Sequence, residues 1–147
     1  MKIAKFIASG GGSGFLPKAP GTWGSVVGLL VVLVLAPFPT WLYLLAVPAA
    51  FLKGLWATNE CLKDTTQTDP QWIVTDEVCG MLVTFLFIPT TPLFLASGFL
   101  LFRLFDVWKP AGIRRVEQMH GGLGVMLDDV LAGVGANLIL QVLRLVA

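Results

Sequence analysis

The sequence predicts an all-α fold, a compact helical membrane protein built from short helices and proline-turn hairpins, and three observations predict it. Hydrophobic residues make up 56% of the 147 residues and charged residues only 13%, with a mean hydropathy of +0.81, well to the apolar side of an ordinary soluble domain. Charges are absent from three long stretches, Ala19 to Leu52, Val78 to Phe102 and Val130 to Leu143. The first two stretches are broken by "PFPT" (Pro37 to Thr40) and "PTTP" (Pro89 to Pro92), and proline pairs inside such runs stop helices and turn the chain. At this length the chain is most simply one domain, residues 1–147.

In chain order, Met1 to Ile7 carries Lys2 and Lys5 but is followed by "ASGGGSG" rather than an apolar run, so no cleaved signal peptide is expected. "GSGFLPKAPGTWGS", Gly12 to Ser25, joins a glycine-rich loop to Lys18 and to the hydroxyls of Thr22 and Ser25 at a helix start. Such loops and helix N-termini expose N–H groups to phosphate. There is no GxxxxGK[ST] and no preceding strand, which removes both the P-loop and the Rossmann fingerprint. The apolar runs then predict helices over Thr22 to Ala36 and Trp41 to Leu52, a first hairpin, and over Ile73 to Ile88 and Leu93 to Phe102, a second. A fifth is predicted over Asp128 to Leu143. A full membrane span needs roughly 20 residues, so either these helices extend into polar flanks or the hairpins dip into the bilayer without crossing it.

Of the 19 charged residues, 18 fall in Met1 to Lys18, Lys53 to Glu77 and Arg103 to Asp129, and both proline turns carry none. If the hairpins span, those segments share one side. Their nine Lys and Arg make that side cytoplasmic by the positive-inside rule. A net charge of +1, with no basic run interleaved with aromatics, argues against nucleic acid as a partner. Cys61 and Cys79 form no CxxC pair and read as apolar packing residues.

The acids cluster beside apolar stretches: Asp69, Asp76 and Glu77 in "DPQWIVTDEVCG", Asp106 in "FRLFDVWKP", and Asp128 and Asp129 in "MLDDVLAG". Carboxylates placed there are costly to desolvate and need partners. Hard oxygen ligands converging from several helices suit Mg²⁺; helix capping and first-turn placement is the alternative for any single one. On a helix Arg103, Asp106 and Lys109 fall near one face, either meeting an anion and a metal ligand together or forming a local ion-pair ladder. Small residues recur around the acids, at Gly80, Gly124, Ala132, Gly133, Gly135 and Ala136, which lets helices approach closely. Dimerisation through such faces stays open. His120 is the only histidine, so any phosphate-ester chemistry here is carboxylate and metal chemistry.

Together "GSGFLPKAPGTWGS", "IVTDEVCGM", "FRLFDVWKP" and "GGLGVMLDDVLAG" resemble the phosphatidylglycerophosphatase A family, in its order and over nearly the whole chain. The resemblance implies an all-helical, Mg²⁺-dependent lipid phosphatase of the bacterial inner membrane that hydrolyses phosphatidylglycerophosphate to phosphatidylglycerol and phosphate. Asp76, Glu77, Asp106, Asp128 and Asp129 fall in the family's acidic motifs, and Arg103 and Lys109 in its basic positions. The sequence departs from the pattern at Ala111 and Gly112 after "KP", and at Thr75. The expected metal set is Asp76, Glu77, Asp106, Asp128 and Asp129, with Asp76, Asp106, Asp129, Arg103 and Lys109 in catalysis. Lys18, Thr22 and Ser25, with Arg103 and Lys109, are expected to contact phosphate at the cytoplasmic face. The rival reading is a small cation carrier or assembly subunit whose intramembrane acids bind a cation.

Overall fold

Seven α-helices and one short 3-10 turn build residues 2–147, the part of the chain that the computed structural model describes; no strand occurs among them. The helices are α1 (Lys2–Ala8), α2 (Pro20–Leu35), α3 (Thr40–Leu62), α4 (Thr75–Thr84), α5 (Pro92–Trp108), α6 (Ala111–Glu117) and α7 (Gly122–Val146). Both α2 and α5 open on proline in the first turn, where its missing N–H costs nothing and its fixed φ suits the helix.

All five expected helices are present, with shifted ends. α3 runs on past Leu52 to 23 residues and α7 starts before Asp128 and reaches 25; both are long and apolar enough to cross a membrane. α3 continues because its far half keeps one face of small residues, Gly54, Ala57, Thr58 and Cys61, buried, while Lys53 points outward. α4 is shorter than the apolar run implies. It ends at Thr84, and the chain then curls through Phe87 at φ 62.

The proline turns reverse the chain as expected, but neither pair of flanking helices forms a closely packed hairpin. α2 and α3 diverge, and α4 packs between them; α4 and α5 each pack chiefly on α7. The two turns meet at one end of the bundle, where Ala36, Phe38 and Thr40 face Leu86 to Thr90 across a cavity of about 250 Å³. The core between these helices holds Val32, Met81, Leu82, Phe85, Phe102, Ala132, Ala136 and Leu140. A second cluster, Ala4, Ala8, Ala57, Cys61, Ile73 and Val125, pins α1 to the far end of α3.

Glycines set the α4–α7 separation. A Cβ on Gly133 would lie 2.5 Å from the carbonyl oxygen of Gly80, and one on Gly80 would lie 2.8 Å from that of Asp129. Backbones this close place the start of α4 against the start of α7, and so bring four acids together. At the other end, α7 supplies side chains to the frayed end of α4. Asn137 Nδ2 donates to the carbonyls of Val83, Thr84 and Leu86 at 3.3, 3.0 and 2.8 Å, and Arg144 donates to Phe87 at 2.9 Å. A helix end inside an apolar bundle needs such partners.

The outer surface is strongly apolar. Leu30, Val34, Trp41, Leu45, Leu100, Leu138 and Val142 are all exposed, and large exposed apolar side chains in such number suit a membrane-facing surface.

Candidate active site

Three helix ends converge opposite the proline turns. α4 brings Asp76 and Glu77 in its first turn, α5 brings Arg103, Asp106 and Lys109 in its last turns, and α7 brings Asp128 and Asp129. With Ala19, Pro20 and Gly21 at the start of α2, and with Asp69, Gln71 and Ile73, they line a cavity of about 340 Å³. Every acid of the expected metal set, and both expected bases, therefore borders one space.

The acids are not surface groups. Asp76, Asp128 and Asp129 are 6%, 4% and 2% exposed, and Asp76 Oδ1, Glu77 Oε2, Asp128 Oδ1 and Asp129 Oδ2 are buried without a hydrogen-bond partner. A buried charge left unpaired is among the costliest states in a protein. Hydrogen-bonded capping does not account for them, since the N-caps of α4 and α7, Val74 and Gly121, make no side-chain cap and these oxygens make no hydrogen bonds; first-turn placement holds for Asp76 and Glu77 but not for Asp128 and Asp129. Oxygens of Asp76, Asp128 and Asp129 lie within 4.8 Å of one another, and so do oxygens of Glu77, Asp106 and Asp129. Opposed ligands on Mg²⁺ sit about 4.2 Å apart, twice the metal–oxygen distance, so small closures suffice for an ion. The donor set is all oxygen and fits a hard divalent cation.

The two bases grip the outer acids. Arg103 Nη1 pairs with Asp106 Oδ2, and Lys109 Nζ donates to Asp128 Oδ2 at 3.2 Å and to Glu117 Oε1 at 2.6 Å. Burial disfavours the charge on Lys109, but Glu117 and Asp128 outweigh that and hold the ammonium above the ordinary lysine range. Lys109 occupies the left-handed region at φ 49, ending α5 just before Pro110. Asp69, at the rim, is pushed up by burial; Lys109 opposes that, while Glu117 and Asp106 add to it.

The glycine loop plays a different part from the one its sequence suggests. Ser9 and Ser13 tie it to itself: Gly12 N donates to Ser9 Oγ at 3.0 Å and Ser13 Oγ donates to the Ser9 carbonyl at 3.2 Å. Its glycines let it lie against the segment before α4, with Val74 N donating to the Ala8 carbonyl at 2.8 Å. Lys18, Thr22 and Ser25 do not line the acid cavity. Lys18 is exposed, and Ser25 is buried with its hydroxyl donating to the Gly21 carbonyl at 2.8 Å. What the segment does bring is Gly21, where a Cβ would stand 2.8 Å from Glu77 Oε1 and 3.0 Å from Arg103 Nη1. Gln71 had no distinguishing signal in the sequence. His120 lies outside the acid cavity, in a neighbouring one of about 480 Å³ that shares only Asp69 and Asp128 with it.

Comparison with known proteins bears on this geometry. The family model described as phosphatidylglycerophosphatase A matches residues 6–144. A Bacteroides thetaiotaomicron protein provisionally named a phosphatidylinositol-3-phosphatase is 38% identical over 146 residues, covering 94% of this chain and 91% of its own. The phosphatidylglycerophosphatase A of Escherichia coli is 38% identical over 130 residues, 87% of this chain and 76% of that protein. That of Haemophilus influenzae is 36% identical over 136 residues, 90% and 83% respectively. No solved structure matches.

Proposed function

The chain belongs to the phosphatidylglycerophosphatase A family, and from that premise we propose that it hydrolyses phosphatidylglycerophosphate to phosphatidylglycerol and phosphate with the help of Mg²⁺. Its class is that of a phosphatase. The observation that carries the metal-dependent reading is the set of four unpartnered, buried carboxylate oxygens around one cavity.

Asp76, Glu77, Asp106, Asp128 and Asp129 are the residues that would hold Mg²⁺. Bound there, the cation would offset the charge of the phosphate and polarise its P–O bonds. The chain's own groups do the rest. Arg103 and Lys109 hold Asp106 and Asp128 in place and add positive charge beside the developing charge on the phosphoryl oxygens. Gly21 leaves room at the start of α2, so backbone rather than a side chain borders the phosphate. Asp69, the one lining acid outside the metal set, orients water and takes its proton as the water oxygen bonds to phosphorus. The ester bond then breaks, and the electron pair leaves with the glycerol oxygen, which is protonated to the alcohol.

The apolar surface and the spanning-length helices α3 and α7 support a membrane protein. Nine of the ten Lys and Arg lie in Met1 to Lys18, Lys53 to Glu77 and Arg103 to Asp129, the segments that also hold the acids, which favours a cytoplasmic active site in a bacterial inner membrane. The lipid then keeps its acyl chains in the bilayer while its terminal phosphate enters the cavity. The small residues of α7, Gly122, Gly124, Ala132, Gly133 and Ala136, are buried within the chain and Gly135 is half-buried; a homodimer is a matter for sedimentation in detergent.

A second substrate is favoured by the name of the Bacteroides relative, phosphatidylinositol 3-phosphate. The reading is tested by phosphate release in mixed micelles from phosphatidylglycerophosphate, phosphatidylinositol 3-phosphate and phosphatidic acid, each with Mg²⁺ and with excess chelator. Release fastest from the first lipid and abolished by chelator is expected. Faster release from the inositol lipid would move the chain to the second substrate, and release indifferent to chelator would remove the metal.

A further inference from the structure

The five acids divide into two sets rather than forming one. The first is Asp76, Asp128 and Asp129; the second is Glu77, Asp106 and Asp129. Each consists of the same parts: one acid from the first turn of α4, one outer acid gripped through a single oxygen by a base, and Asp129. In the first set Lys109 holds Asp128 by Oδ2 and leaves Oδ1 unpartnered. In the second Arg103 holds Asp106 by Oδ2. A carboxylate tied by one oxygen presents the other in a fixed direction, as ligands held by outer-shell partners do.

Asp76 and Glu77 are consecutive on a helix, roughly 100° apart about its axis, and each joins a different set. Asp129, the most buried of the acids at 2% exposure, stands between them and belongs to both sets.

Charge favours the same division. The cavity is lined by six carboxylates, counting Asp69, against the two cations Arg103 and Lys109, a formal excess of four negative charges. One divalent ion halves that excess and still leaves a cavity that repels a phosphate dianion. Two cancel it.

We propose that the site holds two divalent cations, one on Asp76 and Asp128 and one on Glu77 and Asp106, with Asp129 shared between them, and that Arg103 and Lys109 serve as positioning residues for the two outer ligands. This rests on the metal-dependent reading of the site and deepens it. Paired cations suit phosphate-ester hydrolysis because one side of the phosphate faces the incoming oxygen and the other the departing one.

The test is the stoichiometry of Mn²⁺ bound to the full-length protein in detergent micelles, measured by calorimetry and by electron paramagnetic resonance. Two ions per chain are expected, with the broadened signal of a coupled Mn²⁺ pair. Glu77→Gln and Asp76→Asn should each retain one ion with an uncoupled spectrum, and Asp129→Asn should weaken both, with helix content by circular dichroism as the folding control. A single ion in the wild-type protein would overturn the pair while leaving a metal-dependent phosphatase intact. No bound ion in folded, active protein would overturn both. Two ions that persist as a coupled pair in Asp129→Asn would overturn the shared role of Asp129.

Discussion

The two ends of the α4–α7 pair carry polar groups of opposite fate, half-buried and paired at one end, fully buried and unpaired at the other. At the proline-turn end the carbonyls that α4 leaves free are met by Asn137, Gln141 and Arg144 of α7. No buried side-chain nitrogen or oxygen lacks a partner there among the described residues. At the acid end the same two helices leave four carboxylate oxygens buried and unpartnered. One end is complete as protein; the other, on the metal-dependent reading, is completed by cations. The contrast separates stability from function along a single helix pair, since a polar group that the chain satisfies itself contributes to folding, and one that it leaves unsatisfied awaits chemistry.

The sharpest way to break the comparison is Asp129→Asn. It keeps the shape, removes a charge from both carboxylate sets, and is expected to abolish phosphate release while far-ultraviolet circular dichroism stays that of the wild type. Full turnover in this variant would detach Asp129 from the chemistry. Next in size is Lys109→Gln, which frees Asp128 from its anchor. The Mg²⁺ concentration for half-maximal activity should rise about 10–100-fold, the usual cost of losing an outer-shell partner; an unchanged Mg²⁺ dependence would return Lys109 to the substrate alone.

Asn137→Ala probes the other end. It takes the Asn137 donor from the Thr84 carbonyl, and leaves the Val83 carbonyl to Leu86 N and the Leu86 carbonyl to Gln141; it should cost about 1–3 kcal/mol of stability, read as a lowered Tm in detergent, with the Mg²⁺ dependence of the remaining activity unmoved. A shifted Mg²⁺ dependence would show that the two ends are coupled. Smallest is Ser25→Ala, which removes a hydroxyl bonded back to the Gly21 carbonyl. It should cost no more than about 1.5 kcal/mol and leave KM for the lipid alone; a large rise in KM would put Ser25 back among the phosphate contacts.

The acid end was legible in the sequence because carboxylates beside apolar runs break a rule that ordinary surfaces keep. Arg103, Asp106 and Lys109 were legible through helical spacing, and so was the pairing of Arg103 with Asp106; the pairing of Lys109 with Asp128, between two helices, was not. The turn end was hardly legible. Asn137 and Gln141 are single polar residues in an apolar helix, and their meaning depends on where α4 stops, some fifty residues earlier in the chain. The glycine loop was legible only in part for a related reason: glycine signals that backbones come close without naming the neighbour, and the protein neighbour is here Trp72 to Val74. Prolines likewise marked where the chain turns, but not that α4 would enter between α2 and α3.

The most direct test of the central claim is thermal unfolding of wild-type protein, Asp129→Asn and Asn137→Ala in the same detergent, with Mg²⁺ and with chelator. If the acid end is completed by cations, Mg²⁺ raises the wild-type Tm by mass action, with about 2.7 kcal/mol expected at a hundredfold excess over Kd for one ion. Asn137→Ala should melt lower but keep that response. Asp129→Asn should lose it, and should melt no lower than the wild type in chelator, because it carries one buried charge fewer. A wild-type Tm indifferent to Mg²⁺, or an Asp129→Asn response equal to the wild type's, would contradict the account.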